Sequence, residues 1–216
     1  AQSIYLYVPS YTFNPVFEMS YLSSPVKSIK YTDIYQYQVL NVPAGQNMNN
    51  LITNGIADIK SILVVPFYST ASSGAGGTEL PAGMPVYQSP FDPAGCGATS
   101  PLIQLTNVNI VVSGQNAIYN TQRYSYEEFN NQFYGVNAVN GNMTDGLASG
   151  LINRSGFDLE QSFYYLDLSR MLPVEQSVPK SVQIVGQNVG AKPLDLWIFI
   201  EYGVQVDLDI LTGVRV

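Results

Sequence analysis

The stretch "LDLWIFIEYGVQVDLDI", Leu194 to Ile210, constrains the fold more than any other part of the chain. From Val204 onward, Val204, Val206, Leu208 and Ile210 alternate with Gln205, Asp207 and Asp209, the period-two signature of a strand with one wet face. The preceding Leu194–Tyr202 is almost continuously apolar, as in a strand covered on both faces. Gly203 separates the two and allows a bend or bulge. Further strands are read in "VKSIKYTDIYQYQVLNV" (Val26–Val42), "IKSILVVPFYS" (Ile59–Ser69), "LIQLTNVNIVVSG", "EQSFYYLDLSRML" (Glu160–Leu172, stopping at Pro173) and "SVQIVGQNVG" (Ser181–Gly190). "SIYLYV" at the start brings the set to at least seven. In "LIQLTNVNIVVSG" the apolar parity shifts from Ile103 and Leu105 to Val108, Ile110 and Val112, which marks a bulge. Strands at regular spacing with Gly, Pro and Asn between them predict an all-β sandwich or barrel.

Three segments break the pattern. "QNMNNLITNGI" (Gln46–Ile56) is expected to form a helical turn ended by Gly55. Residues 70–100, rich in Gly and Pro, are expected to form a long exposed loop. The third, 124–158, reads as an insert that opens on the helix-like "YSYEEFNNQFYG" and continues with closely spaced glycines. In that helix Ser125 takes the N-cap and Glu127 and Glu128 suit the positive N-terminus. Tyr126, Phe129 and Phe133 form an apolar stripe at spacings of three and four.

Histidine is absent, which removes Ser-His-Asp and Cys-His catalysis and the imidazole ligands of common zinc and iron sites. The single cysteine, Cys96 in "AGCGAT", has no adjacent positive group to lower its pKa, cannot form an internal disulfide and fits a reducing compartment. Glu127 and Glu128 invite comparison with a glycosidase acid pair, but adjacent helical residues do not face each other, so one of them would need a partner such as Asp158 or Asp167. Asp207 and Asp209 could suggest calcium, yet no Gly-centred loop accompanies them, and they read as the solvated face of a strand. Trp197, inside an apolar run, reads as core rather than as a sugar platform. No catalytic residue, metal ligand or cofactor is therefore expected. The sequons at Asn142 and Asn153 read as chance matches in a chain with 17 Asn.

Charged residues make up only 12% of the chain, against roughly 25% in ordinary soluble proteins. The 17 Asn and 14 Gln supply much of the polar surface instead. Such a surface can be covered by neighbours without stripping water from ions, which favours a protein packed against others. The net charge is -7 and the nine Lys and Arg are scattered, so phosphate neutralisation by a basic cluster is not available and nucleic acid is not an expected partner. No stretch reaches the ~18–20 apolar residues of a spanning helix, and "AQSIYLYVPS" does not read as a signal peptide.

Taken in order, "LYVPSYTFNPVFEMSYL", "IKYTDIYQYQVLNV", "NNLITNGIADIKSILVVPFYS", "GLASGLINRSGF", "YYLDLSRMLP", "PKSVQIVGQN" and "IFIEYGVQVDLDILTG" resemble the C-terminal half of double jelly-roll major capsid proteins. These are proteins of Polinton (Maverick) elements, adintoviruses and similar DNA viruses of eukaryotes. The resemblance implies an eight-stranded antiparallel jelly roll over residues 1–216, with one or two short helices and long loops, either the second of two rolls of a longer parent chain, as an isolated half or a cleavage product, or a shorter single-roll relative such as a vertex protein. It further implies a structural capsid protein, not an enzyme, located in the virion and assembling with itself, as trimeric capsomers in an icosahedral shell. The rival expectation is a carbohydrate-binding or attachment jelly roll using Tyr, Asn and Asp on a loop face; a glycosidase ranks third.

Overall fold

The computed structural model describes residues 5–69, 105–118, 124–133, 154, 157, 163–169, 173–190 and 193–215. They form two compact units, Thr32–Gly203 and a smaller one of Ala1–Tyr31 with Val204–Val216. The strands are β1 (Val26–Val42), β2 (Asn47–Ile56), β3 (Ile59–Tyr68), β4 (Leu105–Val112), β5 (Gln115–Asn116), β6 (Tyr164–Asp167), β7 (Lys180–Asn188) and β8 (Leu194–Asp209). The described helices are α1 (Pro15–Leu22), α2 (Tyr126–Phe133) and the single turn α3 (Pro173–Gln176). One four-stranded sheet has the order β1-β8-β3-β6 and the other β2-β7-β4-β5.

The pairing is nested: β1 lies beside β8, β2 pairs β7, β3 pairs β6 and β4 pairs β5, with the resolved registers all antiparallel. A single antiparallel ribbon has been rolled so that β8 also pairs β3 and β7 also pairs β4. That wrapping, two Greek keys in two facing sheets, is the eight-stranded jelly roll expected from the sequence.

Period-two burial builds the core. On β8, Leu194, Leu196, Ile198 and Ile200 are at most 1% exposed, while the residues between them are half-buried. Ile62 and Val64 of β3 join them, and Val182 and Ile184 of β7 with Val108 and Ile110 of β4 face them from the other sheet in one cluster. The parity shift on β4 is a bulge: the register with β7 slips between Thr106 and Asn109, and Asn107 takes φ 52°, a left-handed conformation Asn tolerates better than most residues. Pro66 sits in β3 without breaking the sheet, because β6 pairs β3 only from Ser61 to Val64 and Pro66 lies past its end.

Two buried asparagines act as pieces of backbone. Asn188, 0% exposed, donates its amide to the carbonyls of Val42 and Pro43 (both 3.2 Å) and accepts from the Gly190 N–H at 3.0 Å. It thereby ties the β1–β2 turn to the end of β7. Asn109 donates to the Ile118 carbonyl and accepts from the Ile118 N–H, both at 3.1 Å, closing the segment after β5 over the core.

Several sequence expectations are corrected. Gln46–Ile56 is not a helical turn: Asn47–Ile56 is β2, paired along β7, and Met48 and Ile52 are buried at strand spacing. Residues four apart share a face in either element, so the apolar pattern alone did not separate them. "SIYLYV" supplies no strand over its described residues, since Tyr5–Val8 are unpaired and 71–89% exposed. Of Glu160–Leu172 only Tyr164–Asp167 is assigned to a strand, and Pro173 opens α3, where its missing N–H costs nothing. Gly203 does not carry the bulge. The extra residue is Lys60 of β3, opposite Glu201 and Tyr202, while Gly203 lets Asp58 close in. Its N–H donates to the Asp58 carbonyl at 2.9 Å, and a Cβ there would fall on the Asp58 carboxylate. The loop 70–100 with Cys96, and Asn142, Asn153 and Asp158, lie outside the described residues.

In the smaller unit, Asn14 caps α1 by accepting from the Val16 N–H at 3.0 Å, with Pro15 in the first turn. Phe13, Phe17 and Tyr21 stack along one side at centroid distances of 5.2 to 6.4 Å, and the Lys27 ammonium lies 4.2 Å from the Tyr21 ring centre. None of the residues of α1 is buried.

Candidate functional site

The helix singled out by sequence forms as expected at its N-terminus: Ser125 Oγ accepts from the Glu128 N–H at 3.3 Å. Phe129, 0% exposed, packs against Phe157 at 4.8 Å and Phe163 at 5.1 Å, and Tyr126 lies 6.0 Å from Phe129. The Phe133 side chain lies outside the described set. Just before the helix, Tyr124 points its hydroxyl at β6, donating to the Tyr165 carbonyl at 2.6 Å and accepting from the Tyr165 N–H at 3.3 Å. Burial pushes the Tyr124 pKa far above its ordinary value, against the smaller opposing effect of the bond to Tyr165. α2 and its aromatics thus close the edge of the sheet at β6.

The acidic candidates have structural surroundings. Glu127 is exposed and pairs with Arg154 at 3.1 Å. Asp167 accepts from the Ser169 N–H at 2.9 Å, and its own N–H donates to Gln132 of α2. Asp209 shapes the turn after β8, accepting from Leu211 and Thr212 at 2.9 and 3.3 Å, and the bond from Leu211 leads in holding its carboxyl below the usual range. Among the described residues no three Cys, Asp or Glu side chains gather to hold a metal. Trp197 belongs to the face of β8 opposite Leu196 and Ile198, across from Val65, and is half-buried; it is not part of the inner core.

That opposite face is itself apolar. Leu63, Val65 and Phe67 of β3 and Trp197 and Phe199 of β8 share it, all half-buried. At its margin, Ser61 donates to Glu201 at 2.7 Å. Tyr165 also bonds Ser61, and burial, the larger effect, raises the Tyr165 pKa. Among the described residues β1 is the outermost strand of the same sheet, 17 residues long, with Ile34 63% and Leu40 59% exposed. Among the described residues, most large apolar side chains that reach solvent lie between Tyr5 and Leu40.

No protein-family model matches the chain, and no curated protein matches it in sequence. Among solved structures, it is similar to a chain of the Sputnik virophage cryo-EM structure, with 13% identity and TM-score 0.46, over 89% of this chain and 39% of that one. It is similar to the mavirus major capsid protein, with 10% identity and TM-score 0.41, over 89% of this chain and 41% of that one. A chain of the PBCV-1 virus capsid gives 12% identity and TM-score 0.33, over 82% and 42%. The chain spans about two fifths of the length of each. The jelly-roll assignment stands on the strand pairing itself.

Proposed function

We propose that this chain is a structural jelly-roll domain of a viral capsid protein, the second of two rolls in its parent, which works in the virion by packing against other capsid subunits rather than by catalysis. Its partners are copies of itself in trimeric capsomers of an icosahedral shell. The observation that carries the reading is the run of exposed apolar side chains along Tyr5–Leu40 in a chain whose described strands pair as a jelly roll. Isolated soluble proteins seldom leave contiguous apolar patches beyond about 300–600 Å² uncovered. The ordered motifs that resemble double jelly-roll capsid proteins, and a surface wetted mainly by amides, support the same reading.

Light scattering on the purified protein tests it. The expected result is a mass of three or more chains, with ring-like or shell-like particles in electron micrographs. A strictly monomeric protein at high concentration that binds a glycan array at micromolar affinity would refute it in favour of a carbohydrate-binding module.

A further inference from the structure

The dipeptide Asn54–Gly55, near the end of β2, lies where the pairing with β7 loses its regularity. Leu51 faces Gln183, Thr53 faces Val182 and Ile56 faces Lys180, so β2 carries extra residues over this stretch. Neither Asn54 nor Gly55 has an opposite number in the register, and both are exposed. The Gly55 N–H donates to Thr53 Oγ1 at 3.4 Å, a local contact longer than a well-formed hydrogen bond.

An asparagine followed by glycine carries its own reaction. The backbone nitrogen of the following residue can attack the asparagine side-chain carbonyl carbon, and only glycine, with no Cβ, leaves that nitrogen unshielded. In a folded chain the nitrogen must be reachable, and the asparagine must be able to leave the extended conformation, which regular ladder pairing forbids. Gly55 meets the first condition, since a Cβ built there would find nothing within 4 Å. The bulged register meets the second, because an extra residue in a bulge is not clamped opposite a partner. Asn47 and Asn49, also exposed on β2, meet neither: they are in register with Gln187 and Val185, and Met48 and Asn50 follow them.

We propose that Asn54 is a site of spontaneous backbone modification, converted through a cyclic succinimide to aspartate and isoaspartate. The Gly55 nitrogen gives up its proton to water or hydroxide and bonds to Asn54 Cγ, and the bond from Cγ to Nδ2 breaks to release ammonia. Water then opens the ring. Cleavage between the nitrogen and Cγ leaves ordinary aspartate; cleavage between the nitrogen and the Asn54 backbone carbonyl carbon leaves isoaspartate, whose main chain runs through the former side chain. The net change is one water taken up and one ammonia released, with no oxidant or reductant. β2 has no charged side chain from Asn47 to Ile56, so the product puts a first charge on that strand and makes the net charge of -7 more negative by one.

Incubating the intact protein at mildly alkaline pH, beside the same protein unfolded in guanidinium chloride, tests the assignment. Mass spectrometry of proteolytic peptides follows the NH₂-to-OH exchange at Asn54, and chromatography separates isoaspartate from aspartate. Mapping by peptide keeps this site apart from the second Asn–Gly pair of the sequence, Asn140–Gly141. If the ring closed only in globally unfolded chains, folding would protect Asn54 by a factor of about 10³ or more. Instead the folded chain is expected to react less than about a hundredfold more slowly than the unfolded one, as local opening allows, and faster as pH rises. Gly55→Ala should slow the folded reaction at least about tenfold by shielding the nitrogen, while circular dichroism still reports a β-sheet protein. Protection beyond about a hundredfold, or a rate unchanged in Gly55→Ala, overturns the proposal.

Discussion

Replacing Tyr124 by Phe removes one oxygen and nothing else, and the structure assigns that oxygen two bonds. It holds both backbone groups of Tyr165, on a strand that among the described residues is the outermost of its sheet. Tyr124 is 9% exposed and sits 5.1 Å from the Tyr164 ring and 6.3 Å from Phe157, so water does not readily replace the hydroxyl. Leaving a buried donor or acceptor unmet costs about 1–3 kcal/mol each, so two cost about 2–6 kcal/mol out of a total stability of about 5–15 kcal/mol. Phe fills the same volume apart from the hydroxyl, so almost no packing loss is mixed into that figure. Urea unfolding followed by Trp197 fluorescence and circular dichroism measures it, with the midpoint falling and the slope unchanged. The same hydroxyl predicts an alkaline limit. Tyr124 and Tyr165 both have pKa values raised in the folded state, so the folded protein holds their protons more tightly and stability is lost as pH climbs above the unfolded value near 10. Tyr124→Phe should lose less stability than wild type over that alkaline range. A variant less than about 0.5 kcal/mol weaker than wild type, with an identical alkaline profile, would refute the edge-closing role of this hydroxyl.

Asn188→Ala strands the Val42 and Pro43 carbonyls and the Gly190 N–H and should cost about 2–4 kcal/mol in urea unfolding, whereas an exposed Asn such as Asn54 changed to Ala stays within about 0.5 kcal/mol. Gly203→Ala pushes against the Asp58 carboxylate and should cost about 1–3 kcal/mol. Adding Asp58→Ala should recover part of that loss, and a double-mutant cycle with no coupling would contradict the close approach. Glu127→Gln removes an exposed pair with Arg154 and should shift stability by no more than about 1 kcal/mol, a loss that 0.5 M salt largely erases. A larger, salt-insensitive change in thermal melting would mean that Glu127 has a further role.

The two long strands were legible because each has a pattern that only one element satisfies. Val26–Val42 matches β1 to the residue, and the unbroken Leu194–Tyr202 run reflects a strand whose second face is also apolar. The bulge on β4 was legible because a slip of register reverses parity, and parity is written in the residues themselves. β2 was not, since Met48 and Ile52 fit a helix or a strand equally and only the pairing with β7 decides between them. Tyr5–Val8 failed in the opposite direction: the apolar run is present, but these residues are not part of a strand. Amide-rich composition pointed outward, and it concealed Asn109 and Asn188, whose value lies in being buried where a turn needs a donor and an acceptor together. No one-dimensional signal distinguishes those two from the fifteen other asparagines. The cap expected of Ser125 was legible because its residue type and its place before the helix coincide, and Ser125 Oγ does accept from the Glu128 N–H.

The position of β8 between β1 and β3 has a consequence for biosynthesis. The first and third strands leave the ribosome early and must wait for residues near 200 before either gains its shared neighbour, so the sheet cannot be completed progressively during translation. Nearly all its pairings span long stretches of sequence, and such topologies fold slowly. A nascent chain arrested before Leu194 would present two apolar edges with a strand-wide gap between them, a natural client for chaperones and a ready nucleus for aggregation.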